Sequence, residues 1–195
     1  MRCNLWAGAG SGKSVAASFV YSALKQKKYN IELAGEFIKA WAYEGKIPKS
    51  FDQVFVFGSQ VHTEDTFLQA GVDHVITDSP VLMQIFYARK YNFPCWQSLL
   101  EVAQAFETTY PSLNIFLDRE GIEYKSEGRY EDEAQAKAND SEMKSFMECY
   151  LPEYKVLRSI DLDKIVEYVE KAIKPDELIP RKVGWSDKFL KKFFT

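Results

Sequence analysis

Cysteine is scarce and unpaired in this chain: Cys3, Cys95 and Cys149 are odd in number, and no two stand at CxxC spacing. That usage argues against a disulfide framework or a zinc knuckle and fits reduced thiols in a cytoplasmic protein. Histidine is scarcer still. His62 and His74 have no ligand-type partner at metal-binding spacing, so they read as satisfied polar residues. No apolar run approaches the ~18 residues of a membrane span. The first residues enter an apolar strand without the long hydrophobic stretch of a secretory leader, so a soluble protein with no membrane partner is expected. A net charge of −3 excludes a surface that is basic all over, though not a local basic patch. Internal repeats and low-complexity tracts are also missing.

What the 195 residues do contain is an alternation of short apolar runs with helical patterns. Strands are expected at 3–7, 30–35, 73–78, 113–118 and 155–160. Helices are expected at 13–27, 36–44, about 51–70, 80–91, 95–109 and after Asp161, which would cap the last. In the first helix, Val15, Ala16, Phe19, Val20, Ala23 and Leu24 share one face. Such alternation predicts an α/β fold, an open and mainly parallel five-stranded sheet with helices on both faces. One stretch breaks the rhythm. Residues 120–140, "EGIEYKSEGRYEDEAQAKAND", are charged and poor in apolar side chains, the composition of a lid or a solvated loop. The chain thus divides into a domain at 1–175 with a lid about 120–140, and a C-terminal tail at 176–195.

The segment "LWAGAGSGKSVAASF" (5–19) places small residues between the first strand and first helix. It fits [AG]-x-x-x-x-G-K-[ST], with Ala7 in the first slot and Gly12, Lys13 and Ser14 at the end. The pattern has a physical basis. Small residues Ala9, Gly10, Ser11 and Gly12 let backbone N–H groups converge on an anion, and the helix N-terminus adds its positive dipole end. Lys13 would reach the β- and γ-phosphates of ATP, and the Ser14 hydroxyl would bind Mg²⁺. A chance Gly/Ser turn is the plainer alternative. Asp78 ends the third strand, where a carboxylate can hold Mg²⁺ or accept a proton from a hydroxyl. Its alternative role is to open the following helix beside Pro80.

"DREG" (118–121) matches the short DxxG pattern of GTPases, but no guanine-reading NKxD occurs, and the chain is short for a ring ATPase. A small P-loop kinase fits better. It needs an acceptor-side carboxylate, an acceptor pocket and a lid that brings arginines to the phosphates. Glu32 and Glu36 lie at the end of the second strand. Gln53, Phe55, Phe57 and Gln60 stand on the helix that follows, and Arg119 and Arg129 sit at the root and within the lid. Closing arginines supply positive charge and exclude water. Each has an ordinary alternative: aromatics as core, Arg129 as a solvated ion pair. Arg158, after the fifth strand, marks the adenine side by position alone. Trp6 and Trp41 read as packing residues.

Three blocks, "IELAGEFIKAWAYE", "DQVFVFGSQVH" and "VDHVITDSPVLM", resemble in order a group of mostly phage-encoded, thymidylate-kinase-like P-loop kinases. The group includes nucleotide kinases, nicotinamide-riboside-kinase-like ATPases and 5-hydroxymethyluracil DNA kinases, and the likeness spans about residues 3–140. The resemblance implies a P-loop kinase fold, ATP with Mg²⁺, and transfer to a nucleoside-type acceptor: a pyrimidine nucleotide, free or within modified DNA. It implies phosphate and metal roles for Lys13 and Ser14. It makes Glu36 the strand-two carboxylate near the acceptor and Asp78 the strand-three acid, lines the acceptor side with Gln53 and Gln60, and gives Arg119 and Arg129 to the lid. The residues themselves add Phe57 to the acceptor side and Asp78 to the metal. The chain departs from thymidylate kinases at Ser79 and Pro80, where those enzymes carry an arginine for the acceptor phosphate, and at Gly35, where many carry Thr.

The tail "RKVGWSDKFLKKFFT" (181–195) holds five basic residues and one acidic. As a helix it would align Trp185, Phe189 and Phe193, a surface for DNA or an apolar face docked on the body. The leading expectation is a kinase acting on the hydroxymethyl group of 5-hydroxymethyluracil in DNA. Its alternatives are a kinase for free deoxynucleoside monophosphates or a nucleoside-like metabolite, and an ATPase switch without a phosphoacceptor.

Overall fold

Strand β1 (Arg2–Trp6) is buried along its whole length, and its side chains face two different cores. Cys3 and Leu5 pack with one, Trp6 with the other. That period of two, with both faces buried, places the strand in the middle of a sheet. The computed structural model describes residues 1–173. Its five strands, β1, β2 (Ile31–Ala34), β3 (His74–Thr77), β4 (Ser112–Asp118) and β5 (Lys155–Arg158), form one sheet in the order β2-β3-β1-β4-β5. Every pairing is parallel, so the α/β expectation holds and the sheet is wholly rather than mainly parallel. The tail at 181–195, with its Trp185, Phe189 and Phe193, lies outside the described residues.

Seven helices complete the described residues: α1 (Lys13–Gln26), α2 (Lys39–Tyr43), α3 (Asp52–Gln69), α4 (Val81–Lys90), α5 (Trp96–Thr109), α6 (Glu133–Tyr150) and α7 (Leu162–Ile173). Residues of α1 and α7 join Leu5, Ile76, Ile115 and Leu117 in one core. Residues of α3, α4, α5 and α6 surround Trp6 and Phe116 in the other. The chain therefore leaves β1 toward one face and β3 toward the opposite face. A crevice opens between the carboxyl ends of these adjacent strands, the usual place for a ligand in an open α/β sheet.

Three expectations shift. The stripe of α1 that is buried is Ala16, Ala17, Val20 and Leu24; Val15 and Phe19 are exposed, because the helix turns its small residues toward the sheet. The lid is shorter than 120–140, since α6 starts at Glu133. Asp132 caps it by accepting from the Gln135 backbone N–H, and the Gln135 side chain accepts from the Asp132 backbone N–H, a full capping box. Asp161 spends its carboxylate on Arg158 and Lys164 at the start of α7.

Candidate active site

The segment between β1 and α1 makes two left-handed turns, at Gly10 (φ 70°) and Gly12 (φ 86°), with ordinary backbone between them. Residues with a Cβ are strained there, and alternating handedness turns successive N–H groups toward one concavity. The first turn of α1 carries no acidic residue and no side-chain cap, so its positive end is uncompensated at that concavity. Within the loop, Lys13 Nζ donates to the carbonyls of Ala7 (2.7 Å) and Gly8 (2.9 Å), and Ser11 Oγ donates to Gly8 O.

At the base of the crevice Ser14 Oγ donates to Asp78 Oδ2 at 2.6 Å, joining the start of α1 to the end of β3. The other Asp78 carboxylate oxygen is buried without a hydrogen-bond partner. A hydroxyl beside a carboxylate with a spare oxygen is a hard-donor pair that suits Mg²⁺, which takes one or two carboxylates and keeps several waters.

A cavity of about 430 Å³ adjoins the loop. Ala9 and Lys13 line it on the loop side, Glu36 just past the end of β2 and Lys39 at the start of α2. Gln53 and Gln84 contribute amides, Tyr87, Tyr91 and Phe93 contribute rings, and Arg129, Tyr130 and Glu131 enter from the lid. The lid is tied to both rims: Tyr130 Oη donates to Lys46 O at 2.6 Å, and Tyr91 Oη donates to Glu131 at 3.2 Å. Gln53 is fixed by donating from Nε2 to the Gln84 carbonyl at 3.0 Å, and Gln84 Nε2 donates to Ser79 Oγ at 2.7 Å.

The charges here feel one another. Burial lowers the Lys13 pKa, against the opposing pull of Glu36, Asp78 and Asp140. Burial raises that of Glu36, with Asp78 adding to it and Lys13, Lys39 and Arg129 opposing. Glu36 is thus a carboxyl that holds its proton more tightly than an ordinary glutamate, in a cavity wall it shares with Lys13.

Of the residues expected from sequence, the structure brings together Ala9, Lys13, Glu36, Gln53 and Arg129 around the cavity, with Gly10, Ser11, Gly12, Ser14 and Asp78 adjoining. Others lie elsewhere. Phe57 is core, packed with the α4 and α5 cluster. Gln60 is buried, donating to Glu64 and to Thr77 at the end of β3, so its amide is spent inside the fold and does not line this cavity. Phe55 points outward against Phe37 and Trp41. Arg158 is exposed and paired with Asp161, though its neighbour Ser159 lies close to Gly12.

Arg119 is not free within the lid. Its Nε donates to Asp140, its Nη1 to Ala9 O (3.1 Å) and its Nη2 to Ala136 O (3.2 Å). Asp140 Oδ1 accepts from the Gly8 N–H at 2.6 Å. Sequence reasoning missed Asp140 and also Gln84, Tyr87 and Tyr91. Asp140 did leave a signal, an acid on the same helical stripe as the apolar Ala136 and Met143. The chain matches no protein-family model and no curated protein.

Proposed function

We propose that this chain is an ATP-dependent phosphotransferase of the P-loop kinase type. Its acceptor hydroxyl would belong to a pyrimidine deoxynucleotide, and Ser79 in the place of an acceptor-phosphate arginine, with the basic tail sequence, favours the hydroxymethyl group of 5-hydroxymethyluracil in DNA. The observation that carries the reading is the cavity: it has Lys13 and the glycine-rich loop at one end and Glu36 in its wall. A nucleotide-binding switch has no use for such a chamber beside its loop; a kinase requires one.

The residues divide the work. The backbone N–H groups of Ala9 to Gly12 and the start of α1 take the phosphates, and Lys13 neutralises charge on the transferred group. Ser14 and Asp78 are the pair that would hold magnesium, which when bound offsets charge on the β- and γ-phosphates. Glu36 removes the acceptor proton as the acceptor oxygen bonds to the γ-phosphorus. The bond from that phosphorus to the β,γ-bridging oxygen breaks, and ADP leaves with the electron pair. Tyr87, Tyr91 and Phe93 offer ring faces for a base. Arg129 and the rest of the lid exclude water.

A second reading has its own observation. Lys39 and Arg129 both line the cavity, and such cations could hold the phosphate of a free deoxynucleoside monophosphate in place of an arginine at position 79. Incubation with γ-labelled ATP and Mg²⁺ against 5-hydroxymethyluracil DNA, unmodified DNA, free deoxynucleoside monophosphates and nicotinamide riboside separates the readings. Label on one acceptor is expected, falling about a hundredfold or more in Lys13→Ala, the scale of losing one principal charge-stabilising donor. Label appearing only as free phosphate overturns the kinase reading in favour of an ATPase.

A further inference from the structure

The lid leaves the sheet at Arg119, at the end of β4, and returns as α6. Its neck is closed by Arg119 donating to Asp140 and to Ala136 O, and that neck rests on the glycine-rich loop through Gly8 N–H to Asp140 and Arg119 to Ala9 O. Gly8 has no room for a side chain there: a Cβ would lie 2.6 Å from Ala136 O and 2.9 Å from Asp140 Oδ1. The Asp140 side chain is largely shielded from water, so its bonds act with little competition.

We propose that Asp140 is a positioning residue that couples the lid to the nucleotide-binding loop, acting through Arg119 and the Gly8 N–H. This deepens, and rests on, the phosphotransferase reading. The carboxylate commits the guanidinium fork to loop carbonyls and to α6, so Arg119 shapes the loop rather than reaching for the transferred phosphoryl. Charge-assisted bonds to a planar fork carry direction as well as strength, which is what holding a loop in register needs. The acceptor wall, formed by Glu36, Gln53 and Gln84, receives no bond from this clamp. Loss of Asp140 therefore acts on the nucleotide side alone.

Two measurements test it, one of them independent of activity. In nucleotide-free protein, trypsin should cut after Lys125 and Arg129 faster in Asp140→Asn than in wild type, since a loosened neck frees the lid. Asparagine keeps the shape and can still accept from Gly8, so only the Arg119 arm is weakened; Arg119→Lys, which keeps charge and loses the fork, serves if Asp140→Asn does not fold. In the second measurement, Mg·ADP binding by calorimetry and steady-state kinetics should show affinity for the nucleotide falling about tenfold to a hundredfold, as for a displaced binding group, with the acceptor KM unchanged. The double variant should lose no more than either single one, because the two residues act as a unit. Unchanged trypsin cleavage, additive losses, or an equal effect on the acceptor KM overturns the clamp. Wild-type protein that binds no nucleotide refutes the phosphotransferase reading instead, and the trypsin comparison still judges the clamp.

Discussion

Glu36 is the residue whose chemistry is most exposed to test. Burial raises its pKa above the ordinary carboxylate value, and Asp78 adds to the shift. On the proposed phosphotransferase reading Glu36 is the base and must be deprotonated to work, so activity should fall as pH drops through that raised value, higher than an unperturbed glutamate would set. Glu36→Gln should lower kcat by about 10²- to 10⁴-fold and abolish that acid limb, read from a pH–rate profile. Glu36 and Lys13 were legible in the sequence because they sit within a few residues of strand ends, where local pattern fixes position. Asp140 was not. Its partners Gly8 and Arg119 come from distant parts of the chain, and only the packing of α6 against the loop brings them together.

Among the elements, the lid segment runs directly into α6. The capping box at Asp132 and Gln135 decides where mobile-looking polar sequence turns into helix. Asp132→Ala removes it and should cost about 1 kcal/mol. Faster amide exchange at residues 133–136, with little change in α4 or α5, is the expected signature. The D-x-x-Q spacing was present in the sequence, but the charge of residues 120–140 masked it, and composition drew the lid too long. The strands and most helices were legible to within a residue or two because their burial is strongly patterned. The rotation of α1 was not, since Ala17 and Val15 differ in hydropathy against the direction in which they are buried. Shape won there: the sheet accepts the smaller side chain.

At the scale of the whole molecule, the core on the α3–α6 face is partly polar. Arg2, fully buried at the head of β1, pairs with Glu64 of α3 at 3.0 Å and also with Glu107 of α5. Gln60 donates to Glu64 and to Thr77. Burial pushes the Glu64 carboxyl up to about 7, with Arg2 and Gln60 pulling the other way. Between the ordinary glutamate pKa and about 7 the folded protein therefore holds a proton that the unfolded chain has released. Stability from this group is full below the ordinary glutamate pKa and is lost as pH rises through about 7. The thermal midpoint should decline between pH ~5 and pH ~8, and Glu64→Gln should flatten that slope. A uniform decline in both proteins would place its origin elsewhere.

The strand order also sets a schedule for biogenesis. β1 lies between β3 and β4, and Arg2 is in register with Val75 on one side and Ser112 on the other. A ribosome adding about 5–20 residues per second needs roughly 2 to 7 seconds to pass from Val75 to Ser112. Through that interval a strand that the fold buries on both faces waits with one edge open. The loop that β1 carries toward the crevice can take its final shape only after the Arg119 side of its clamp has been synthesised.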